Sequence, residues 1–318
     1  MGHKLFKNSM TFVGATPWHN LGKPVPPTVS AAEMISAANL DWTVSKRPAP
    51  GGKKYLLLRS KMGPEPEDAA LGLVGSGYTP LQNRDAFKFF EPLIESKWAQ
   101  FHTAGALGNG ERVWVMVRLS DDIVMAKDDV VQRFILLANS HDGKGAVTIR
   151  FTPIRVVCQN TLNYAMKEST GVLSVAHTWN IHANLAKKQA ETLQEVISKV
   201  FKDAESLFGL MVALKMNAGQ IDEFLERLFP RTKPQSAKRQ EPERWQRIKT
   251  ILDDSNVTPP TTRSTLWGLY NAVVRDEDYR VSREAGPENR LDRVWFGSGH
   301  DLKRAALDAA RQHLRTAA

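Results

Sequence analysis

The segment from Leu136 to Ala165 reads LLANSHDGKGAVTIRFTPIRVVCQNTLNYA, and it decides the predicted fold. An apolar strand, a polar turn with two glycines and an arginine-bearing strand follow one another before a Cys-Gln-Asn-Thr step. Together with an earlier alternating segment they predict three strands, over Val113–Leu119, Arg133–Ala138 and Val147–Phe151. The middle strand is apolar almost throughout, which is typical of a strand buried on both faces. These strands predict a meandering antiparallel sheet.

Helices are predicted on either side of this sheet. The sequence that begins at Ser30 fits a capping box, so a helix is expected to start there. Apolar spacing predicts a second helix over Asp85–Trp98, kinked at Pro92, whose last residue lies on its apolar face. After the sheet, Asn160-Thr161 is predicted to cap a helix that runs to Lys167.

The sequence pattern changes near residue 180. Residues 1–178 mix helix and strand, whereas residues 182–318 are almost entirely helical in pattern. Helices are expected over 182–215, Gln220–Phe229, Trp245–Leu252, Thr261–Val274 and Asp301–Leu314. Residues 230–240 form a basic linker with two prolines and no large apolar side chain, for which disorder is predicted. The predicted fold class is therefore α+β: an antiparallel meandering sheet flanked by helices, followed by a mainly helical C-terminal portion.

Composition restricts the class of function. The 318 residues carry a net charge of +9 with a pI near 9.6, which suits an anionic partner, nucleic acid first. One cysteine excludes an internal disulfide framework and indicates a reducing cytoplasm. No apolar run approaches about 18 residues and the start lacks the apolar segment of a signal peptide, so no membrane insertion is expected. No glycine-rich nucleotide-binding motif occurs, and no cofactor is expected.

The predicted sheet combines basic and aromatic side chains. Trp114 and Arg118 alternate onto one face of their strand, and Lys144 adds charge in the polar turn. Guanidinium, hydroxyl and aromatic groups together suit a single-stranded backbone whose bases stack on the rings. The candidate nucleic-acid-binding residues are Arg112, Trp114, Arg118, Arg133, Asn139, Lys144, Arg150, Arg155 and Asn160. In the alternative interpretation the arginines lie on a solvated face or pair with Asp121, Asp122, Asp128 and Asp129.

A nucleophilic site is a competing interpretation. Cys158 could attack a substrate with His141 as its base, since a nearby imidazole activates a thiolate. A cysteine that follows two valines is also typical of a small buried hydrophobic residue. The sequence does not decide between the two.

A metal site is the other catalytic interpretation. His19, His141 and Asp142 could bind a divalent cation and give a nuclease-like centre. The same His-Asp-Gly step also predicts a turn, in which the aspartate bonds the local backbone and Gly143 and Gly145 adopt positive φ. No catalytic residue and no metal ligand is assigned.

Several motifs resemble one family along almost the whole chain. They are Pro17–Gly22, Ser140–Gly143, Arg155–Leu162, Trp267–Ala272 and Trp295–Gly299. In this order they are similar to the phage/plasmid-like protein family built on the domain of unknown function number 932. The sequence departs from that pattern at Lys144-Gly145, where a small hydroxylated residue is expected after the first glycine. The resemblance implies a mobile-element setting and leaves the biochemical role open.

The preferred hypothesis is binding of nucleic acid, with single-stranded DNA as the expected form, in the replication, recombination or establishment of a phage or plasmid.

 Single-stranded DNA is the expected partner in this hypothesis. A three-stranded meander followed by a helix is also the core of Rad52-like annealing proteins, an analogy of fold alone, and annealing would require a homo-oligomer. A hydrolase or nuclease built on His141, Asp142 and Cys158 is the second hypothesis, and an inhibitor of a host defence protein is the third. All three place the protein in the cytoplasm of a bacterial host.

Overall fold

The computed structural model describes residues 5–14, 22–65, 67–155, 160–161, 172–191, 197–230, 241–280 and 297–317. They divide into two units. Unit 1 contains Met1–Ser120, Phe134–Phe151 and Met166–Ser198, and unit 2 contains Asp121–Arg133, Thr152–Ala165 and Lys199–Ala318. The predicted boundary near residue 180 differs from this division, because two segments that precede it group with the C-terminal part of the chain.

The described residues form an α+β fold, as predicted. The strands are β1 (Leu5–Val13), β2 (Lys23–Val25), β3 (Val44–Pro48), β4 (Tyr55–Arg59), β5 (Ala69–Val74), β6 (Ala99–Leu107), β7 (Arg112–Leu119), β8 (Ile123–Ala126), β9 (Asp129–Ser140), β10 (Val147–Arg155), β11 (Asn160–Thr161) and β12 (Val172–Val175). The helices are α1 (Ala31–Ala37), α2 (Asn83–Lys88), α3 (Glu91–Glu95), α4 (Ile181–Glu191), α5 (Ile197–Ala213), α6 (Ala218–Leu228), α7 (Glu241–Asp253), α8 (Leu266–Arg280) and α9 (Ser298–Ala317). Within these ranges, no helix has the length and apolar character needed to cross a membrane.

Unit 1 is built on a large sheet with the strand order β2-β1-β6-β7-β9-β10, and β12 pairs with β10. The three predicted strands are present as the neighbours β7, β9 and β10, and the β7–β9 pair is antiparallel, as is the β6–β7 pair. Gly105 of β6 lies opposite Trp114 of β7. A Cβ atom at Gly105 would overlap the Trp114 ring and the Ser9 carbonyl oxygen, so glycine is needed for the close approach of these strands.

The helical segment before the sheet differs from the prediction. Ser30 caps α1 with the predicted capping box, in which Glu33 binds the Ser30 amide at 2.8 Å. The single helix expected over Asp85–Trp98 is instead two short helices, α2 and α3. Pro92 lies in the first turn of α3. An amide hydrogen at this position would have no acceptor within the helix, so its absence in proline costs no helical hydrogen bond. Proline therefore helps to begin a helix here, whereas a kink was expected.

The predicted helix cap at Asn160-Thr161 is wrong. These two residues form β11, which pairs with the end of β10 through Ile154 opposite Thr161. Extended backbone that continues a ladder cannot also provide the first turn of a helix. The rest of the predicted helix, to Lys167, lies outside the described residues, as does the predicted linker beyond Pro230.

Unit 1 also contains a second sheet, whose middle strand β4 agrees with the short strand that the sequence pattern predicts over Lys54–Arg59, whereas β3 and β5 were not predicted. The strands β3, β4 and β5 form a separate antiparallel sheet. Gly72 lies in β5, and a Cβ atom there would overlap the backbone of Asp142. The small sheet therefore packs against the turn between β9 and β10, and glycine permits this contact.

Unit 2 contains most of the helices that follow residue 198. The predicted helices near 220–229, 245–252 and 301–314 are confirmed as α6, α7 and α9, with ends that differ by a few residues. The helix expected over Thr261–Val274 begins at Leu266 and continues to Arg280. The stretch 182–215 contains α4 and α5, and residues 192–196 lie outside the description.

The helix α8 is buried along almost its whole described length, including three consecutive acids, Asp276, Glu277 and Asp278. Cations from neighbouring helices face these carboxylates. Arg244 of α7 lies 2.8 Å from Asp276 and 2.7 Å from Glu277, and Lys303 of α9 lies 3.0 Å from Asp278. These ion pairs explain how a run of acids can lie inside unit 2, since an unpaired buried charge costs several kcal/mol.

Candidate nucleic-acid interface

Two of the predicted contact residues are buried in the core of unit 1. Trp114 is 0% exposed and Asn139 is 1% exposed. Asn139 donates to the Leu81 carbonyl at 3.0 Å. The expectation that Trp114 stacks on a base is therefore wrong for this structure. The alternation of β7 was read correctly, but residues from Val113 to Val117 are buried on both faces of the strand.

Arg133 has internal partners in unit 2. Its Nη2 lies 2.8 Å from the Asp121 carboxylate, its Nε donates to the Asp121 carbonyl at 2.6 Å, and its guanidinium lies 5.4 Å from the Phe201 ring centre. This pairing matches the alternative interpretation of the arginines. Asp128 and Asp129 are also engaged, with Thr261 and with the Trp267 indole respectively.

The other predicted contacts have varied surroundings. Lys144 is exposed, whereas Arg112, Arg118 and Arg150 are partly buried and have interactions with their surroundings. The side chains of Arg155 and Asn160 lie outside the description, and so do His19 and Cys158. Arg118 lines a cleft.

The Arg118 cleft lies at the ends of β6 and β7 in unit 1. It has a volume of about 380 Å³, and its lining residues are Pro27, Thr28, Val29, Ile94, Lys97, Ala99, Gln100, Phe101, Arg118 and Ser120. Two of them are cations and none is an acid. Hydroxyl and amide groups complete the polar part of the lining. This composition suits an anionic ligand, and phosphate oxygens in particular accept hydrogen bonds from such groups.

Lys97 and Trp98 are positioned by the end of α3. The Lys97 amide donates to Ile94 O and the Trp98 amide donates to Leu93 O, each at 3.0 Å, which is the Schellman arrangement. Lys97 has φ of +61°, a left-handed conformation in which glycine is usual. The turn leaves Trp98 50% exposed, next in the chain to two residues of the cleft lining. The sequence had placed Trp98 on a buried helical face, because a helix end without glycine gives a weak signal.

His102 lies beside Arg118 and is neutral at physiological pH. Burial, followed by the Arg118 charge, lowers the pKa of His102 from 6.5 to about 4. Its ring packs edge-on against Phe134, with the centroids 4.8 Å apart. The positive charge at this end of the sheet is therefore supplied by Arg118 and Lys97.

His141, the predicted catalytic base, is enclosed in the core of unit 1. Its Nε2 lies 3.2 Å from Asn83 Oδ1 and 3.3 Å from Asn139 Nδ2, and Trp42 packs edge-on against the ring. Burial, and then the nearby His177, lowers the pKa of His141 to about 3. A fully buried imidazole with this pKa is a poor base for any substrate.

Asp142 and Gly143 form the turn that was the alternative to a metal site. Asp142 Oδ1 accepts from Ser140 Oγ at 2.6 Å and from the Lys144 amide at 2.8 Å. Gly143 has φ of +74°, as predicted, whereas Gly145 lies outside the left-handed region. Within the described ranges, no three His, Cys, Asp or Glu side chains are grouped so as to hold a metal ion.

A stacked pair that the sequence did not reveal lies over this turn. The rings of Tyr78 and His177 are 4.4 Å apart and nearly parallel, and Tyr78 Oη donates to Ser140 O at 3.0 Å. Burial raises the pKa of Tyr78 and lowers the pKa of His177. Both side chains are therefore neutral at physiological pH, and they hold the turn in place.

Comparison with known proteins gives one match. The family model described as "Domain of unknown function (DUF932)" matches residues 70–295, which is more than half of the chain. No curated protein and no solved structure matches the chain.

Proposed function

The chain belongs to the family of the domain of unknown function DUF932, and we propose that it binds nucleic acid, with a preference for single-stranded DNA. One observation supports this proposal most directly. The Arg118 cleft has two cations and no acid in its lining, and the half-exposed ring of Trp98 adjoins it in the chain. The net charge of +9 is consistent with a polyanionic partner.

The lining groups have complementary roles in this proposal. Arg118 and Lys97 neutralise phosphates, and Gln100, Ser120 and Thr28 offer neutral hydrogen bonds to phosphate and sugar oxygens. The volume of about 380 Å³ lies within the range of small-ligand sites and is sufficient for part of a nucleotide. The cleft would therefore hold a short piece of the backbone.

Trp98 is the reason to prefer a single strand. An exposed indole can stack on an unpaired base, and such stacking is worth about 1–3 kcal/mol per base. Bases in a duplex already stack on one another, so a duplex offers only its backbone to this surface. The preference for a single strand should therefore depend on Trp98, whereas the affinity for phosphate should depend on Arg118 and Lys97.

The test is fluorescence anisotropy with labelled single- and double-stranded DNA of equal length, at roughly 50 mM salt. We expect tighter binding of the single strand. Trp98→Ala should weaken single-strand binding by about fivefold or more and leave duplex binding nearly unchanged. Absence of binding to either DNA would refute the proposal.

Matched substitutions separate the cleft from general charge. Lys97→Ala and Lys53→Ala each remove one exposed lysine, but Lys53 lies in the turn between β3 and β4. The first should weaken binding and the second should not. Equal effects would mean that binding depends on net charge alone, and the cleft would have no part in it.

The setting of this function comes from the resemblance and is part of the proposal. It is the replication, recombination or establishment of a phage or plasmid in the cytoplasm of a bacterial host. A hydrolytic function built on His141 and Asp142 has no support from the described residues, because the first is enclosed and the second forms a turn.

A further inference from the structure

A second groove of unit 1 lies between α2 and α4. We call it the α2–α4 groove; its lining residues are Asp85, Lys88, Phe89, His182, Leu185, Ala186 and Gln189. Its volume is about 210 Å³. Gln189 Nε2 donates to the Lys88 carbonyl at 3.2 Å and to the Phe89 carbonyl at 2.7 Å. These bonds join α4 to the end of α2, so the groove has two connected walls.

The two helices carry more positive than negative charge. Their cations are Arg84, Lys88, Lys187 and Lys188, and their acids are Asp85 and Glu191. Asp85 lies 3.9 Å from the His182 imidazole. Arg84, Lys88 and Lys187 are exposed. An anionic partner fits this distribution better than a cationic one.

Trp179 is the most exposed large apolar side chain among the described residues, at 86%. It lies two residues before α4, in a turn that the Ile181 amide closes by donating to Thr178 O at 3.0 Å. Thr178 Oγ1 also donates to Asn180 Oδ1 at 2.6 Å. The ring is therefore held in the open by an ordered turn, three residues along the chain from His182 of the groove.

We propose that the α2–α4 groove and Trp179 form a second contact for the same single strand of nucleic acid. This inference rests on the proposed function. The charges would neutralise phosphates, and the indole would stack on one unpaired base. From His182 to Gln189 the helix rises about 10 Å, at 1.5 Å per residue, so the groove can follow only a few nucleotides. A strand that reaches both surfaces should bind more tightly than one that fits the Arg118 cleft alone.

The test compares labelled oligothymidylates of roughly 8 and roughly 32 nucleotides, lengths chosen around the 4–16 nucleotides that a single-strand site covers. Trp179→Ala should weaken binding of the longer oligonucleotide by about fivefold or more, and that of the shorter one by less than about twofold. Lys88→Ala should act in the same direction. Leu73→Ala, which removes another exposed apolar side chain of unit 1, should change neither affinity.

The outcomes distinguish this inference from the proposed function. If Lys97→Ala weakens binding while Trp179→Ala and Lys88→Ala do not, the second contact is refuted and the Arg118 cleft stands. If the unmodified chain binds neither oligonucleotide, both proposals fall. If Trp179→Ala and Lys88→Ala weaken the binding of labelled polyglutamate and leave the affinity for both oligonucleotides unchanged, the groove accepts an acidic protein, and the inference is overturned.

Discussion

Mild acid should destabilise this protein through its buried histidines. His141 is 0% exposed, and its pKa of about 3 lies far below the ordinary value of 6.5. Below pH 6.5 the unfolded chain takes up a proton at this residue that the folded chain does not. The stability that comes from the neutral ring is therefore present above pH 6.5 and is lost as the pH falls toward 3.

The size of the effect follows from the two pKa values. Between neutral pH and about pH 5, His141 alone should lower the free energy of unfolding by about 2 kcal/mol. His102, with a pKa of about 4, should contribute a similar amount over the same interval. The sum, about 4 kcal/mol, is a large part of the 5–15 kcal/mol that is usual for a folded domain.

Urea unfolding at about pH 7.5 and about pH 5, followed by circular dichroism, measures this loss. His141→Gln keeps an amide near the position of Nε2 and cannot titrate, so it should remove about half of the acid-induced loss. Trp42→Phe is the control, because it changes the packing on the His141 ring without changing a titrating group. It should lower stability equally at both pH values. An acid-induced loss of the same size in His141→Gln as in the unmodified chain would refute the reasoning.

Three further predictions concern single positions. Lys97→Gly should raise the free energy of unfolding by up to about 1 kcal/mol, because glycine accepts the left-handed conformation, and should weaken DNA binding; urea unfolding and anisotropy measure the two effects. Asp278→Ala removes the carboxylate that faces Lys303 and should cost about 3–5 kcal/mol in urea unfolding, whereas Asp278→Leu combined with Lys303→Met should cost clearly less. Gly105→Ala should lower the thermal midpoint through overlap with Trp114 and a strand backbone, at a cost of about 1–3 kcal/mol. A variant of Gly105 with unchanged melting, or an Asp278 single variant no worse than the double variant, would contradict the packing described.

The sequence predicted those features that depend on local pattern. Alternation in β7, the capping box at Ser30 and the turn at Asp142-Gly143 each involve residues a few positions apart, and all three are present. Alternation separates the two faces of a strand, but it does not show what covers each face. For this reason Trp114 was expected on an open surface, although both faces of β7 are buried.

The features that were missed depend on distant residues or on unusual conformations. The ion pairs of the α8 acids were not predicted, because their cations, Arg244 and Lys303, come from helices some 25–33 residues away in the chain. Lys97 takes a left-handed conformation that favours glycine, so nothing in the sequence marked the end of α3 or the exposure of Trp98. Of the residues that line the Arg118 cleft, the sequence analysis therefore named only Arg118 as a candidate binding residue.

The most direct test of the proposed function is the salt dependence of single-strand binding, measured from roughly 50 to 200 mM salt. Each phosphate contact on a single strand contributes about −0.7 to the slope of log K against log salt concentration. The combined variant Lys97→Ala with Arg118→Ala should therefore bind with a slope shallower by about 1.4. Lys53→Ala with Lys61→Ala removes the same charge from exposed positions elsewhere in unit 1 and should keep the original slope. Equal slopes for the two combined variants would contradict the claim that the Arg118 cleft binds the nucleic-acid backbone.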